Sequence, residues 1–374
     1  MRFCLVSTQP NWGGGEALLW SMGQELQSLG HQVGWMARVN SGLSERIEQS
    51  GAEVLHLHQG RGLSLGNWWA TVRALRTWAP DVLVTNDTHA VHLAGSAAWL
   101  CRKPRPIRLA YKHTVFPMRS RLKYRWLSDK LVCVSRAAQE VVEKGGVPAA
   151  RTAVIYGGCQ PAKHDPGARA WANKAFGLSS EDRLLVCVGN LLACKGHTDL
   201  INAMSILVRE NPRMRLLIAG EGTERERLAS RVIDRQLTGH VRLLGYRSDA
   251  DRLLDAADLV VHPSLAEGLS LVLIQSQMLV KPIVATAVGG TTEVLGADDL
   301  SQCTAWLAEP GNGESLATQI RNALKVIEAD SGELAIKLAR TAERTRAQFG
   351  LRANAKKLVE LGVRELALVD LAAQ

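Results

Sequence analysis

Asp258–Leu295 reads DLVVHPSLAEGLSLVLIQSQMLVKPIVATAVGGTTEVL, and this stretch decides the fold. Leu259–Val261 is a short apolar run of the kind a buried strand uses, and Pro263–Gly268 is a polar loop. Leu269–Val280 has helical spacing, Pro282–Thr286 reads as the next strand, and Gly289-Gly290 precedes another helix. A strand–loop–helix–strand–loop–helix unit predicts a doubly wound parallel sheet. Ligands of such sheets gather at the carboxyl ends of the strands. Glu267, followed by Gly268, falls at such an end. It also precedes a helix start, where unpaired backbone N–H groups hold an anion or an electron-rich oxygen.

The same rhythm extends in both directions. Upstream come strands at Leu184–Val188, Met214–Ala219 and Val241–Leu244, with helices at His197–Arg209, Thr223–Arg235 and Asp249–Ala256. Downstream lie a strand at Thr304–Leu307 and helices at Ser315–Ala329, Glu333–Phe349 and Arg352–Val369. The first half repeats the pattern, with strands at Arg2–Ser7, Gln32–Met36, Ala52–His56, Asp81–Thr85, Ile107–Tyr111, Lys130–Ser135 and Thr152–Tyr156. Gly, Pro and charged residues from Gly157 to about Pro166 read as an interdomain linker. The expected class is α/β, with one domain over 1–160, a second over 161–350 and a terminal helical segment over 351–374.

Composition narrows the function. Residues 1–155 hold nineteen Lys and Arg against ten Asp and Glu, whereas residues 156–374 balance at twenty-six of each. The whole net charge of +9 therefore sits in the first half, which suggests an anionic surface or acceptor there, or simply solubility. The run Pro117–Lys130, PMRSRLKYRWLSDK, concentrates that charge. Arg119, Arg121, Lys123 and Arg125 alternate with Met118, Leu122, Tyr124 and Trp126, and Arg102-Lys103-Pro104-Arg105 adds to the patch. It reads either as a solvated basic segment or as a contact for an anionic lipid headgroup or phosphorylated saccharide. No nucleic-acid module is present. No run of eighteen apolar residues would span a membrane, and the first residues lack the apolar region and cleavage site of a signal peptide. The seven cysteines form no Cys-x-x-Cys pair and read as free thiols of a reducing cytoplasm. No clustered metal-ligand set is seen.

Two further loops hold candidate residues. Gly13-Gly14-Gly15 joins the first strand to a helix at Ala17–Leu29, which suits either a tight turn or close approach of backbone N–H groups to phosphate. Neither a dinucleotide fingerprint nor a Walker loop fits there. Lys112-His113-Thr114 ends another strand; a lone histidine serves structure as readily as chemistry. Asp87 and His89, at the end of Asp81–Thr85, are candidate acceptor contacts.

Glu267-Gly268, Pro282-Ile283-Val284-Ala285-Thr286 and Gly289-Gly290-Thr291-Thr292-Glu293 together resemble the donor-site motif of retaining glycosyltransferases of family 4, which have the GT-B fold. That resemblance implies two Rossmann-like domains facing a central cleft, with the final helix crossing back to the first. It implies transfer of a sugar, with retention, from a nucleotide diphosphate sugar to an acceptor hydroxyl, with no resident cofactor and no metal. In the family pattern Glu267 lies by the donor sugar, with the backbone of Gly268, Leu269, Ser270 and Leu271 nearby. Lys195-Gly196 matches the basic loop on the diphosphate, Tyr246 the loop on the base, Gly13–Gly15 the glycine loop, and His113 the strand-end histidine near the reacting carbon. Two positions depart. Asn190 stands where the family has Arg, and Gln275 where a second Glu holds the ribose; glutamine keeps an acceptor oxygen but drops the charge. With the basic first half, the resemblance points to a glycolipid acceptor such as a lipopolysaccharide core, reached by peripheral contact with the cytoplasmic membrane face. A soluble acceptor, sugar-nucleotide epimerisation, and a non-catalytic sugar-nucleotide-binding or assembly protein are the alternatives.

Overall fold

The strands are apolar along nearly their whole length because both faces of each sheet are covered. Phe3–Val6, Val82–Val84 and Leu184–Val186 are all buried. A computed structural model describes residues 1–58, 64–101, 105–118, 120–297, 303–329 and 332–373. The first sheet consists of β1 (Arg2–Ser7), β2 (Gln32–Arg38), β3 (Val54–Leu57), β4 (Val82–Thr85), β5 (Ile107–Lys112), β6 (Lys130–Cys133) and β7 (Thr152–Val154), in the order β3-β2-β1-β4-β5-β6-β7. The second consists of β8 (Arg183–Val188), β9 (Met214–Ala219), β10 (Val241–Gly245), β11 (Leu259–His262), β12 (Ile283–Thr286) and β13 (Ala305–Ala308), in the order β10-β9-β8-β11-β12-β13. Adjacent strands pair in parallel; Phe3 registers with Val82, and Leu259 with Leu185. Strand order reverses between β1 and β4 and between β8 and β11. Those reversals are where a doubly wound sheet opens a ligand crevice at its carboxyl edge.

The chain divides into two compact units. One is Met1–Gln160 with Phe349–Gln374, and the other is Pro161–Gln348. Within the first, the returning segment lies on residues 158–159. Gly158 has no room for a side chain, since a Cβ would stand 2.9 Å from the Leu351 Cα and the Phe349 carbonyl, and Cys159 bridges to Gly350. Phe349 is fully buried edge-on to Tyr156, with ring centroids 5.0 Å apart. The helix Leu351–Ala373 then covers the sheet and pairs Glu365 with Lys130 at 3.2 Å.

Several boundaries differ from the sequence reading. The helix after Glu267 covers Leu271–Met278, because Ser270 caps it by accepting from the Leu273 N–H at 3.3 Å. The glycine-loop helix starts at Gly14, inside the glycines. Two helices escaped the reading: Gly42–Gln49, opened by a Ser41–Ser44 capping box, and Ala168–Phe176. The linker is shorter than expected. His164 meets Asp255 at 3.0 Å and Asp165 meets Arg252 at 2.7 Å, both inside the second unit. Burial pushes the thiols of Cys4, Cys133 and Cys187 up to about 12.

Gly23 lies in the middle of the helix Gly14–Ser28, where a Cβ would overlap the Trp35 indole and come within 2.8 Å of Leu5 Cδ1. Alanine would raise helix propensity by about 1 kcal/mol, while forcing atoms into a filled core costs about 1–3 kcal/mol. With the Cβ only 2.2 Å from the indole, the cost falls at the upper end, and we expect Gly23→Ala to be a net loss of about 2 kcal/mol. A urea midpoint equal to or above wild type would contradict this packing.

Candidate active site

The second unit gathers its polar side chains at the β8/β11 reversal. β8 is followed by Gly189–Gly196, and β11 ends on His262, five residues before Glu267. The two loops are locked together: the Leu265 N–H donates to the Cys194 carbonyl at 2.8 Å. Gly196, at φ +66°, has its α-carbon against the Pro263 carbonyl, so a Cβ would overlap that oxygen. Only glycine satisfies both the left-handed backbone and the close approach. This fit carries Lys195 to Glu267, with Nζ 2.6 Å from Oε2. The Glu267 carbonyl in turn accepts the Gly290 N–H at 3.0 Å, tying in the loop after β12.

Three groups converge on Glu267 Oε2: Lys195 Nζ at 2.6 Å, His262 Nε2 at 3.2 Å and Ser264 Oγ at 3.2 Å. Oε1 has no protein partner among the described residues, which leaves it to a ligand. Burial alone would raise this carboxyl, but the hydrogen bond from His262 and the charge of Lys195 outweigh it and hold the group at about 2. The neighbouring His197 is also lowered, to about 4, because burial and then the His262 and Lys195 charges disfavour its protonation. Near neutral pH the site thus pairs an ionised carboxylate with the Lys195 ammonium.

Of the other expected donor contacts, Gly268 and Ser270 are buried, Leu269 and Leu271 are half-buried around the helix start, and Asn190 and Tyr246 are exposed. Gln275 points its amide nitrogen at Asp251 Oδ1, 2.9 Å away, so its oxygen is the atom left to accept. His262 and Ser264 were missed. The available signal was a histidine as the last residue of an apolar strand, just ahead of the Glu267 loop.

The first unit builds a separate cluster at the β1/β4 reversal. Gly13 precedes the helix Gly14–Ser28; Gly14 faces open space, while Gly15 packs against the His113 ring and Asn86. His113 Nε2 lies 2.7 Å from Asn86 Oδ1, and its ring stacks on Tyr111 with centroids 5.4 Å apart. Burial, which outweighs the nearby Asp87 charge, lowers His113 to about 4, so it is neutral near pH 7. Asp87, expected as an acceptor contact, is engaged within the unit. Its carboxylate accepts from the Thr8 N–H and hydroxyl at 2.7 Å each, and caps the helix Thr88–Ala97 through the N–H groups of His89 and Ala90. It ties β1 to β4 and leaves neither oxygen free. His89 is exposed on the first turn of that helix.

Residues 171–343 match the family described as glycosyl transferases group 1, and residues 12–163 match glycosyltransferase family 4. Two glycosyltransferase family matches thus divide most of the chain between them. The D-inositol 3-phosphate glycosyltransferase of Mycobacterium bovis is 28% identical over 256 residues, 66% of this chain and 50% of its own. The chain spans about half the length of the curated relatives it matches. The structure of HepE from Anabaena, solved with UDP-glucose, superposes with a TM-score of 0.83 at 19% identity, over 96% of this chain and 99% of its own. That of WaaG, a glycosyltransferase involved in lipopolysaccharide biosynthesis, gives 0.68 at 17% identity, over 96% and 99%. At such identities the likeness establishes the fold, which is GT-B.

The basic stretch of the first unit folds in part as the helix Arg121–Leu127. Arg119 and Arg102–Pro104 lie outside the described residues. Tyr124 turns inward to Thr88, while Leu122 and Trp126 are each 59% exposed and Phe116 is 52% exposed. A cavity of about 540 Å³ beside this helix is lined by Arg121, Arg125 and Arg151 together with Leu122, Gly146 and Pro148. Arg151 spends its donors on carbonyls at the end of the helix, including those of Arg125 and Ser128. Arg121 and Arg125 are exposed. No helix among the described residues is long and apolar enough to cross a membrane.

The Glu267 pair has a pH signature. A carboxyl held at about 2, against an ordinary value of 4.5, stabilises the fold fully above pH 4.5 and loses that contribution as pH falls through 2. A shift of this size corresponds to about 3 kcal/mol. Urea unfolding from pH 5 down to pH 2 should show a steeper loss for wild type than for Glu267→Gln. Parallel profiles would refute the assignment.

Proposed function

We propose that this protein is a retaining glycosyltransferase that moves a sugar from a nucleotide diphosphate sugar to a hydroxyl of an anionic glycolipid, such as a lipopolysaccharide core, at a membrane surface. The observation that carries the reading is the buried Glu267 carboxylate. It sits at the strand-order reversal, held ionised by Lys195 and His262, with Oε1 open to a ligand. A carboxylate so held accepts sugar hydroxyls and stabilises the positive charge that develops at an anomeric carbon. In the reaction, the bond from that carbon to the diphosphate oxygen breaks and a bond to the acceptor oxygen forms on the same face. The acceptor proton leaves with the nucleoside diphosphate. Lys195 and the helix start at Leu271 meet the negative charge that grows on the leaving group. The scheme needs no resident cofactor, since the nucleotide sugar is a substrate. The group 1 and family 4 matches support the reaction class, and the UDP-glucose complex of HepE supports a uridine nucleotide as the first donor to try.

The acceptor side rests on Arg121, Lys123 and Arg125 beside the exposed Leu122, Trp126 and Phe116. This is a basic and apolar surface of the kind that lies on anionic lipid.

Nucleoside diphosphate release measured over a panel of sugar nucleotides, with and without a lipid extract, tests the proposal. Release should require both substrates, and NMR of the product should show the donor's anomeric configuration. Glu267→Ala and Lys195→Ala should each lower turnover roughly 100- to 1,000-fold. Wild-type turnover in both variants would sink the proposal, and donor binding without turnover across the panel would favour a sugar-nucleotide-binding role.

The acceptor surface is tested separately. Arg121→Glu with Arg125→Glu should raise the apparent KM for acceptor presented in anionic vesicles, by an amount that shrinks with added salt. A KM that stays unchanged would move the acceptor contact elsewhere.

A further inference from the structure

Behind His113 stands a chain of buried polar groups that the transfer scheme does not use. Glu16, the residue after the glycine loop, is buried in the first turn of the helix Gly14–Ser28. Its Oε1 accepts from the Ser7 hydroxyl at 3.3 Å and from Asn86 Nδ2 at 3.1 Å. The other side of the Asn86 amide, Oδ1, faces His113 Nε2 at 2.7 Å. Glu16 comes from the helix after β1, and Asn86 and His113 from the ends of β4 and β5, so the chain crosses the point where strand order reverses.

We propose that Glu16, acting through the side-chain amide of Asn86, holds His113 in the neutral tautomer that carries its hydrogen on Nε2, leaving Nδ1 as the acceptor the ring offers to a ligand. The logic is donor and acceptor counting. An ionised carboxylate only accepts, so the atom of Asn86 that faces it is the NH2. The amide oxygen then faces the ring, and it also only accepts. Nε2 must therefore bear the hydrogen, and in a neutral imidazole the lone pair is then on Nδ1. His113 is neutral near pH 7, and Nδ1 has no protein partner among the described residues. Stacking on Tyr111 and the hydrogen bond to Asn86 fix the plane of the ring.

The charge on Glu16 decides the outcome. A protonated Glu16 would donate to Asn86 Oδ1, reverse the amide, and place the ring hydrogen on Nδ1. Burial, followed by the nearby Asp87 charge, pushes the Glu16 carboxyl upward; its own backbone N–H and the hydrogen bonds from Ser7 and Asn86 pull it back. Glu16 and Asn86 are thus positioning residues, acting on a substrate only through His113. That His113 meets the substrate rests on the transferase reading above; the tautomer itself does not.

Long-range proton–nitrogen spectra of the full chain, labelled with 15N-histidine near neutral pH, read the tautomer directly. The His113 signals are identified by their loss in His113→Gln. We expect Nε2 to be protonated and Nδ1 to carry the lone pair in wild type; the opposite pattern overturns the proposal. Glutamine at position 16 can both donate and accept, so Glu16→Gln should give a mixture of tautomers. A pure Nε2–H ring in that variant removes Glu16 from the account. Should Glu16→Gln not fold, Asn86→Ala cuts the same link, and an unchanged single tautomer there is equally fatal. Transfer assays on His113→Gln separate the two readings, because full activity would remove His113 from the reaction while leaving the tautomer result intact.

Discussion

A carboxylate withdrawn from water keeps its charge only when protein groups replace the water, and the second unit is arranged around meeting that condition at Glu267. The glycine at 196 exists so that two loops can touch. Their contact brings Lys195 within bonding distance, and the last residue of β11 supplies His262 from below. The three groups on one carboxylate oxygen leave the other unspent. A site made this way is ready for a ligand without rearranging its charges, which is how electrostatic preorganisation reduces a barrier.

The first unit solves the opposite problem. There burial is not fully compensated, so Glu16 is drawn upward and His113 downward, and the imidazole is held neutral among hydrogen-bonding partners. A neutral imidazole and an ionised carboxylate suit different work. The first accepts or passes a proton, while the second steadies a developing cation.

Much of this was legible in the chain. Apolar runs buried on both faces announce parallel strands, and each half shows them at regular spacing, so the two doubly wound sheets followed from pattern alone. Glu267 stood out because it occupies a loop between a strand and a helix, and Lys195 because Lys195-Gly196 resembles the basic loop of the family pattern. His262 did not, since one histidine at a strand end gives no periodic signal and its partner is reached only by the turn of the intervening loop. Asn86 and Glu16 were hidden for the same reason: their link spans seventy residues of sequence. The capping role of Asp87 was not read, although Asp-Thr-His-Ala suits a helix N-cap, because its bonds to Thr8 join segments far apart in sequence. The helix Gly42–Gln49 was missed because two turns give too short a period to see.

The return of residues 349–374 to the first unit has a consequence for how the protein is made. The first unit draws on both ends of this chain, with the whole of the second synthesised in between. On the ribosome, the second unit therefore has all its residues while the first still lacks a helix. Until that helix arrives, the surface that buries Phe349 and pairs Lys130 with Glu365 is uncovered. Exposed apolar surface of this kind draws unfolded chains together. Completion of the first unit is thus a late, long-range step, timed by translation rather than by local folding speed.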